Sequence, residues 1–519
     1  MSRKWWTLLT VSVGTFMLLL DITVVNTALP SIQRNLSAGF TDVQWVIDAY
    51  TLSLAAIVLT AGSLADRLGR RRVFGIGLGI FSLASLAAGL APDATFLNVS
   101  RAVQGIGGAA MFAVSLALVA QEFAAGRERA TAMGIYGATI GISVAIGPLV
   151  GGAITSGLGW RWVFFVNVPV GAAAIALTLA KLRESRDPNA TRIDWLGLIS
   201  FSSALLMLVL ALLRGNDEGW GSPLIVGLLA GAGLTLAAFA AIERRVAEPM
   251  LPLGLFRRGA FTGVQLAAAA VSASLFALFL YLTLYLQDYL GYSPLQAGLR
   301  YLPITIVPFL VAPVAVALMA RIPARALMAI GLGGVGAGLA LMAGLSANSS
   351  WTALLPGFIV AGIGAGLLNP VIADVAVSVV SKDRSGMAAG INDTFRQVAI
   401  AVGVAAWGAI FLARGADKIA SVASGTPAAT GDHPRQLIEA ASGGRLGSAL
   451  AGLPHGTRDL VAEATRQGFL SGLNTILLLG ALLAFAGAAL AAWLVREHEI
   501  EREPLEVVSG PTVVASVGR

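Results

Sequence analysis

A carboxylic acid lies inside the first apolar run of this chain of 519 residues. The run begins near Trp5 and closes at Pro30, and Asp21 lies nine residues before that proline. A charged side chain at the middle of a lipid bilayer costs about 2.5–3.5 kcal/mol, so an acid that is present there is a candidate functional group. Asp21 is therefore predicted to gain and lose a proton. The alternative is a carboxylate that stays paired with a neighbouring helix.

Arg101 is a basic residue at comparable depth in the fourth apolar run, five residues after Phe96. At 1.5 Å per residue, Asp21 and Arg101 both lie roughly 8–13 Å below the same predicted face. An arginine that deep needs a partner. Burial favours the neutral acid and a guanidinium favours the carboxylate, so an acid held between the two effects can load and release a proton. A fixed ion pair that only orients two helices is the alternative.

A short polar loop, Gly62–Arg72, joins the second and third apolar runs. Its glycines permit a tight turn, its acid can cap or pair with a helix N-terminus, and its arginines can find carboxylates. We call it the latch loop, because such a set can hold two bundles together in one conformation and release them in another. A plain basic stop after a span would require neither the acid nor the glycines. The predicted latch residues are Gly62, Asp66, Arg67, Gly69, Arg70 and Arg71.

Small residues and one proline recur in the fifth run, at Gly141, Gly147, Pro148, Gly151 and Gly152. Small residues let a second helix approach closely and proline bends the axis, although ordinary helix packing uses the same residues. A separate group of polar and aromatic residues within the runs is predicted to line a substrate cavity, with packing as the alternative for the aromatic ones. These residues are Asn26, Asp48, Gln104, Phe276, Phe279, Tyr281 and Asn369.

Composition places these residues in a polytopic membrane protein, since 56% of the chain is hydrophobic and 12% is charged. Cysteine is absent and the three histidines lie outside the apolar runs, so we expect no disulfide, metal site or other cofactor. The net charge of +7 arises from short basic loops, so nucleic acid is not an expected partner.

Fourteen membrane spans are predicted, and the first is expected to be retained rather than cleaved. They lie at 6–29, 43–63, 73–91, 96–120, 130–156, 162–181, 195–213, 222–242, 260–287, 296–319, 326–345, 352–379, 387–412 and 469–494.

The orientation follows from the basic residues of the short loops, twenty on one side against three on the other. Both termini are therefore predicted to be cytoplasmic, in a cell membrane of the bacterial inner-membrane type. Residues 413–467 form a long outer loop, in which 457–467 is predicted to be helical and to extend the last span. Thr41 and Gln44 predict a capping box that opens the second span.

An internal repeat relates the two ends of the chain. Gly105–Gly108 is echoed by Gly362–Ala365 at an offset of 257 residues, and Arg67 and Arg71 are echoed by Arg321 and Arg325 at an offset of 254. The repeat predicts an all-α fold with two six-helix bundles, 1–182 and 259–495. Two inserted spans lie in 183–258, and 496–519 is a cytoplasmic tail.

These motifs together resemble the major facilitator superfamily and, within it, the fourteen-span drug:proton antiporters. The resemblance rests on the latch loop, on Arg101–Ala109, on Gly141–Gly152, on Trp160–Pro169 and on the stretch around Asp21. Ala320 stands where the repeat would place an acid, so only the first half is expected to carry the full latch.

The resemblance implies a proton-coupled antiporter that exports hydrophobic drugs or antibiotics, cations included, by alternating access across the cytoplasmic membrane. Asp21 and Arg101 would couple the proton, and the five residues of the fifth run would form the antiporter motif. The implied partners are a hydrophobic small molecule, protons and the lipid bilayer, with the protein acting as a monomer and not as an enzyme. One alternative is a carrier of the same fold for an endogenous metabolite, and another is a polytopic membrane enzyme or sensor.

Overall fold

The computed structural model describes residues 2–123, 127–185, 194–246, 249, 251–380, 385–451 and 455–500, and a few side chains within these ranges, including that of Asp66, are not described. The described chain is helical and contains no strand. Its α-helices are α1 Arg3–Asn35, α2 Phe40–Leu68, α3 Arg70–Gly89, α4 Ala94–Glu122, α5 Arg127–Gly157, α6 Trp162–Phe165, α7 Asn167–Lys181, α8 Trp195–Glu218, α9 Pro223–Glu243, α10 Gly259–Val271, α11 Phe279–Leu284, α12 Pro294–Leu318, α13 Ala324–Met342, α14 Leu355–Ser378, α15 Ser385–Val422, α16 His433–Ser442, α17 Leu446–Leu450 and α18 His455–Leu494.

Thirteen segments of the described chain are long and apolar enough to cross a membrane. They agree with thirteen of the fourteen predicted spans. The remaining prediction, at 43–63, falls on α2, a helix of 29 residues that is not among the thirteen. The all-α polytopic fold is confirmed, and the count of fourteen stays a prediction.

Local sequence explains where several of these helices begin. The Asp93 carboxylate accepts from the Phe96 backbone N–H at 2.8 Å and starts α4, and Ser293 and Gln296 form a capping box at the start of α12. The predicted capping box at Thr41 is wrong. The structure begins α2 at Phe40, so Thr41 is already helical, and Asp42 accepts from the Gly39 N–H instead.

The helices form two bundles, which we call the N half (α1–α7) and the C half (α10–α18). Each half has its own buried apolar core, and that of the C half extends to the outer ends of the first helices of the N half. The predicted repeat appears in matching helix crossings. A Cβ at Gly77 would lie 2.9 Å from the Gly107 carbonyl oxygen, and one at Gly331 would lie 2.9 Å from that of Gly364. Only glycine lets α3 approach α4, and α13 approach α14, this closely.

The inserted helices α8 and α9 pack against each other at the seam between the halves. Leu205, Val209 and Leu213 of α8 pack with Leu52 of α2 and with Ala401 of α15. Helix α8 therefore contacts both halves, while much of α9 faces outward.

The loop 413–467 contains more helix than its composition indicates. Helix α15 continues to Val422, α16 and α17 follow, and α18 begins at His455. The predicted helical extension of the last span over 457–467 is confirmed. We call the face that carries this loop and residues 36–39 the outer face, because the orientation prediction puts it outside the cell.

Candidate functional site

Asp21 lies at the centre of a buried polar network in the N half. Its side chain is 0% exposed, and one carboxylate oxygen, Oδ2, accepts from Arg101 Nη1 at 2.5 Å. The other oxygen, Oδ1, accepts from Gln104 Nε2 and from Asn167 Nδ2, each at 2.9 Å. Both amides also donate to the Ser85 hydroxyl, at 2.7 and 3.4 Å respectively. Donors from α4 and α7 thus satisfy the carboxylate of α1, as a buried charge requires, and Ser85 of α3 accepts from two of those donors.

Arg101 is fixed as firmly as its partner. Its Nη1 also donates to Gln104 Oε1 at 2.7 Å, and its Nε donates to the Val46 carbonyl oxygen at 3.0 Å. The guanidinium carbon lies 4.3 Å from the centre of the Tyr50 ring, within the range of a cation–π contact. The structure therefore brings together the two residues that the sequence pairs by depth.

A central cavity lies between the two halves, with a volume of about 60 Å³. Predicted residues Asn26, Phe276 and Phe279 line it, together with Pro148. The Phe276 and Phe279 rings stack with their centres 6.2 Å apart. Phe276 belongs to a π-helical turn, Ser272–Phe276, which lies between α10 and α11. Such turns are frequent at functional sites.

Four other predicted cavity residues are not among those that line this cavity. Gln104 belongs to the Asp21 network. Asn369 accepts from Arg396 Nη1 at 3.2 Å, in a polar cluster of the C half in which Arg396 Nε also donates to Asn392 Oδ1 at 3.1 Å. Asp48 and Tyr281 are fully buried where α2 meets the C half.

Tyr281 belongs to a polar contact between the halves. Gln44 of α2 donates from Nε2 to the Tyr281 hydroxyl at 3.0 Å and to the Val404 carbonyl oxygen at 2.9 Å, and Tyr281 donates to the same carbonyl at 2.5 Å. Asp48, one turn further along α2, is fully buried. Among the described residues, neither of its carboxyl oxygens has a hydrogen-bond partner.

Further contacts join the halves toward the outer face. Arg34 Nη1 bonds to Asp288 Oδ1 at 2.6 Å, and Gln287 Nε2 donates to the Thr27 carbonyl oxygen at 2.8 Å. Arg445, between α16 and α17, donates to the Ala38 carbonyl oxygen at 3.2 Å. In this conformation the outer ends of the two halves are therefore held together.

The latch loop contacts the end of the sixth predicted span. Gly69 has φ = 112°, a conformation that favours glycine, and its backbone passes close to the Glu184 carboxylate. That carboxylate accepts from the Arg71 backbone N–H at 3.1 Å, and the Arg71 side chain donates to the Leu179 carbonyl oxygen at 2.7 Å. The Arg70 backbone N–H donates to the Ser185 carbonyl oxygen at 2.9 Å. These contacts join the latch loop to α7 and to the residues that directly follow it.

Three of the predicted latch residues remain to be placed. Arg67 is exposed and a Cβ at Gly62 would meet no described atom within 4 Å. The side chain of Asp66 lies outside the described part of the chain.

The small residues of α5 face two neighbours. A Cβ at Gly147 or Gly151 would contact Thr23 or Thr27 of α1, within the N half. A Cβ at Gly141 would lie 3.1 Å from Phe309 of α12, and one at Gly152 would contact the backbone of Pro294. Helix α5 therefore packs closely on the N half with one side and on the C half with the other.

Sequence reasoning missed several members of these sites. Asn167 lies within the quoted Trp160–Pro169 motif, where an amide in an apolar run was an available signal. Glu184 lies in a charged stretch after a span, and the spacing of Gln44 from Thr41 predicts a cap instead. Ser85 carried no signal, since serine is common in membrane helices.

Comparison with known proteins agrees with this architecture. Residues 11–404 match the family model described as Major Facilitator Superfamily. The chain is 39% identical over 407 residues to the puromycin resistance protein pur8 of Streptomyces alboniger, which covers 78% of this chain and 81% of that protein. It is 32% identical to the tetracenomycin C resistance and export protein of Streptomyces glaucescens, over 100% and 96% of the two chains. It is 31% identical to the multidrug efflux pump LfrA of Mycolicibacterium smegmatis, over 94% and 95%.

Solved structures show the same fold at low sequence identity. A bacterial homologue of the human lysosomal transporter Spinster, in an inward-facing and occupied conformation, superposes with a TM-score of 0.62 at 17% identity, over 97% of this chain and all of that one. A peptide transporter, POT, gives a TM-score of 0.62 at 16% identity, over 95% of each chain. The family model spans well over half of the sequence, and the relatives match across most of their lengths. The chain is thus a multi-pass membrane protein that belongs to the Major Facilitator Superfamily.

Proposed function

We propose that this protein exports hydrophobic drugs or antibiotics, cations among them, in exchange for protons that enter through the same carrier. The observation that carries the proposal is the Asp21 network, a buried acid bonded to Arg101 and two amides within one half. A proton added to this carboxylate would disturb its bonds to Arg101 and to the two amides, so a change in its charge would act on the helices α4 and α7 that hold it. The relatives named as resistance and export proteins support the direction of transport and the class of substrate.

The central cavity is the proposed substrate site. Its wall is mainly apolar and aromatic, with Phe276, Phe279 and Tyr301 on one side and the polar Asn26 on the other. Drug-sized ligands occupy pockets of about 300–1,000 Å³, so a cavity of about 60 Å³ must widen before it can hold one. Separation of the halves would widen it, because residues of both halves line it.

Both termini are proposed to be cytoplasmic and the protein to act as a monomer without a cofactor. With that orientation, protons that move inward down their gradient drive export. The membrane potential adds about 2.3 kcal/mol per charge for each 100 mV.

The test is drug flux in proteoliposomes that hold purified protein and an imposed pH gradient. Puromycin and ethidium serve as probes, one for each of two chemical classes. Asp21→Asn keeps the shape and hydrogen bonding of the side chain but cannot titrate, so the gradient should no longer drive net movement. Asp21→Glu should retain part of it. Asp417→Asn, which alters an exposed acid of the outer part of α15, is the matched control and should transport like the wild type.

Gradient-driven flux at the wild-type rate in Asp21→Asn would contradict the assignment of the coupling residue. Absence of flux for both probes in the wild-type protein, with uptake of an endogenous metabolite instead, would contradict the drug-export proposal itself. A susceptibility panel of cells with and without the protein extends the list of probes.

A further inference from the structure

Asp48 is a second buried acid, and it lies outside the Asp21 network. It is the ninth residue of α2 counted from Phe40 at the outer face, and its side chain is fully buried. Within the described chain, both carboxyl oxygens lack a hydrogen-bond partner, and no described cation forms an ion pair with it. An isolated carboxylate in such a place is strongly disfavoured, whereas a protonated carboxyl group is tolerated.

The surface that Asp48 faces belongs to the seam between the halves. One turn before it, Gln44 bonds to Tyr281 and to the Val404 carbonyl oxygen of the C half. One turn after it, Leu52 packs with Ala401 and Ala405 of α15. Residues at intervals of four lie on one side of a helix, so Asp48 points into the same seam.

In the described part of the seam, α8, α11 and α15 offer Asp48 no cation. The stretches of α15 and α8 along this seam, 398–411 and 196–213, contain no ionisable residue. From α11, Tyr281 is the titratable group that interacts electrostatically with Asp48.

The charged groups of the N half are directed elsewhere. Arg101 of α4 contacts Val46 and Tyr50, and a step of two residues turns about 200° around a helix, so these face away from Asp48. Asp21 of α1 is bonded to Arg101 on that far side. The arginines of α3 lie at its start, 70–72, on the inner face.

We propose that Asp48 is a proton-binding site of the outer gate, and that the seam between α2 and α15 closes only after Asp48 has taken a proton from the outside. This inference rests on the proposed proton-coupled function and adds a step to it. While the outer ends are apart, water reaches Asp48 and the carboxylate is ionised. Transfer of one proton from water to a carboxyl oxygen makes the group neutral, and the apolar seam can then close over it.

Closure of the seam must depend on pH if it requires protonation of Asp48. If closure takes up one proton, the ratio of outer-closed to outer-open molecules falls tenfold for each unit rise in pH over the range in which open-state Asp48 is ionised. The Asp21 network lies inside the N half, so it need not change when the seam opens. The pH dependence of closure should therefore follow Asp48 and not Asp21.

The absence of cysteine makes a direct measurement possible. Ser37→Cys in the loop before α2 and Ala347→Cys between α13 and α14 place two spin labels on exposed residues of opposite halves at the outer face. Pulsed dipolar spectroscopy in lipid nanodiscs, without drug, then gives the closed fraction from pH 5 to pH 9. The wild-type pair should open as the pH rises. Asp48→Asn should stay closed at every pH, and Asp48→Glu should keep the pH dependence.

Two further variants test whether another acid causes the pH dependence of closure. Asp42→Asn alters an acid on the same helix that accepts from the Gly39 N–H at 2.8 Å, and it should behave like the wild type. Asp21→Asn should also keep the pH dependence of closure, although it stops gradient-driven flux. A pH dependence that persists in Asp48→Asn, or one that is lost in Asp21→Asn, overturns the proposal. Drug flux is measured separately in the wild-type protein, so a failure of the transport proposal is recognised independently of this result.

Discussion

Gly152 offers a test of whether the close crossing of α5 and α12 holds the outer ends of the halves together. A Cβ at residue 152 would contact the Pro294 carbonyl oxygen and lie 2.9 Å from the Leu295 Cα. A Cβ at Gly298 on the opposite helix would lie 3.0 Å from the Pro148 carbonyl carbon. These neighbours are backbone atoms and cannot move aside unless the whole helix shifts. We therefore predict that Gly152→Ala pushes the halves apart at the outer face.

The size of the effect follows from packing energetics. Overpacking of a close contact costs about 1–3 kcal/mol, and here the cost applies only while the halves touch. The ratio of outer-closed to outer-open molecules should therefore fall by about 5- to 150-fold. Gly137→Ala is the matched control on the same helix, because a Cβ there would meet no described atom within 4 Å. That change should raise stability by roughly 0.8–1 kcal/mol through helix propensity and leave the ratio unchanged.

Gly151, the next residue along the helix, makes the comparison stricter. A Cβ there would lie 2.6 Å from the Val24 carbonyl oxygen of α1, inside the N half. Gly151→Ala should lower the thermal stability of the purified protein and leave the outer distance as in the wild type. The measurement is the same pair of spin labels on the outer face, together with thermal unfolding in detergent. A wild-type distance distribution for Gly152→Ala, or an equal shift for Gly151→Ala, would refute the reasoning.

Three further predictions concern the outer ion pair, the latch loop and the topology. Arg34→Gln should reduce the outer-closed fraction, and a double-mutant cycle with Asp288→Asn should give a coupling energy of about 0.5–3 kcal/mol; a coupling of zero would contradict a role for the pair. Gly69→Ala should lower the free energy of unfolding by roughly 1–3 kcal/mol, because residue 69 has a positive φ and lies against the Glu184 carboxylate. Gly79→Ala should not lower it, because a Cβ at residue 79 would meet no described atom within 4 Å. An impermeant thiol reagent should label Ser424→Cys but not Leu68→Cys in intact cells, and the reverse pattern would invert the orientation.

The sequence predicts the class, thirteen of the spans and the Asp21–Arg101 pair because these depend on strong, local physical costs. A charge in lipid is expensive wherever the chain goes, so two opposite charges at equal depth point to each other. The partners that complete the network could not be ranked in the same way. Asn167 and Ser85 are neutral, and their cost in a membrane is too small to mark them among the many other polar residues of the spans.

Contacts between the halves were the least accessible to sequence reasoning. Gln44 fitted the spacing of a capping box, which is a local pattern, but its partners lie 237 and 360 residues away in the chain. Asn369 was predicted to line the cavity, and the described structure instead bonds it to Arg396. Both differences arise because depth in the membrane can be read from a span, whereas the direction in which a side chain points depends on how the helices pack.

Three acids, Asp21, Asp48 and Asp288, differ in how they lie relative to the seam between the halves. All the bonds that the described residues make to the Asp21 side chain lie within the N half, so a rigid movement of the halves leaves them intact. Asp48 and Asp288, in contrast, face the C half or belong to it, and their surroundings change whenever the outer ends separate. Ile22, Thr23 and Asn26, which follow Asp21 on α1, line the cavity. If Asp21 couples the proton as proposed, a change in its charge must be driven from the cavity, by substrate or water, while the proposed outer gate would respond through the acids of the seam.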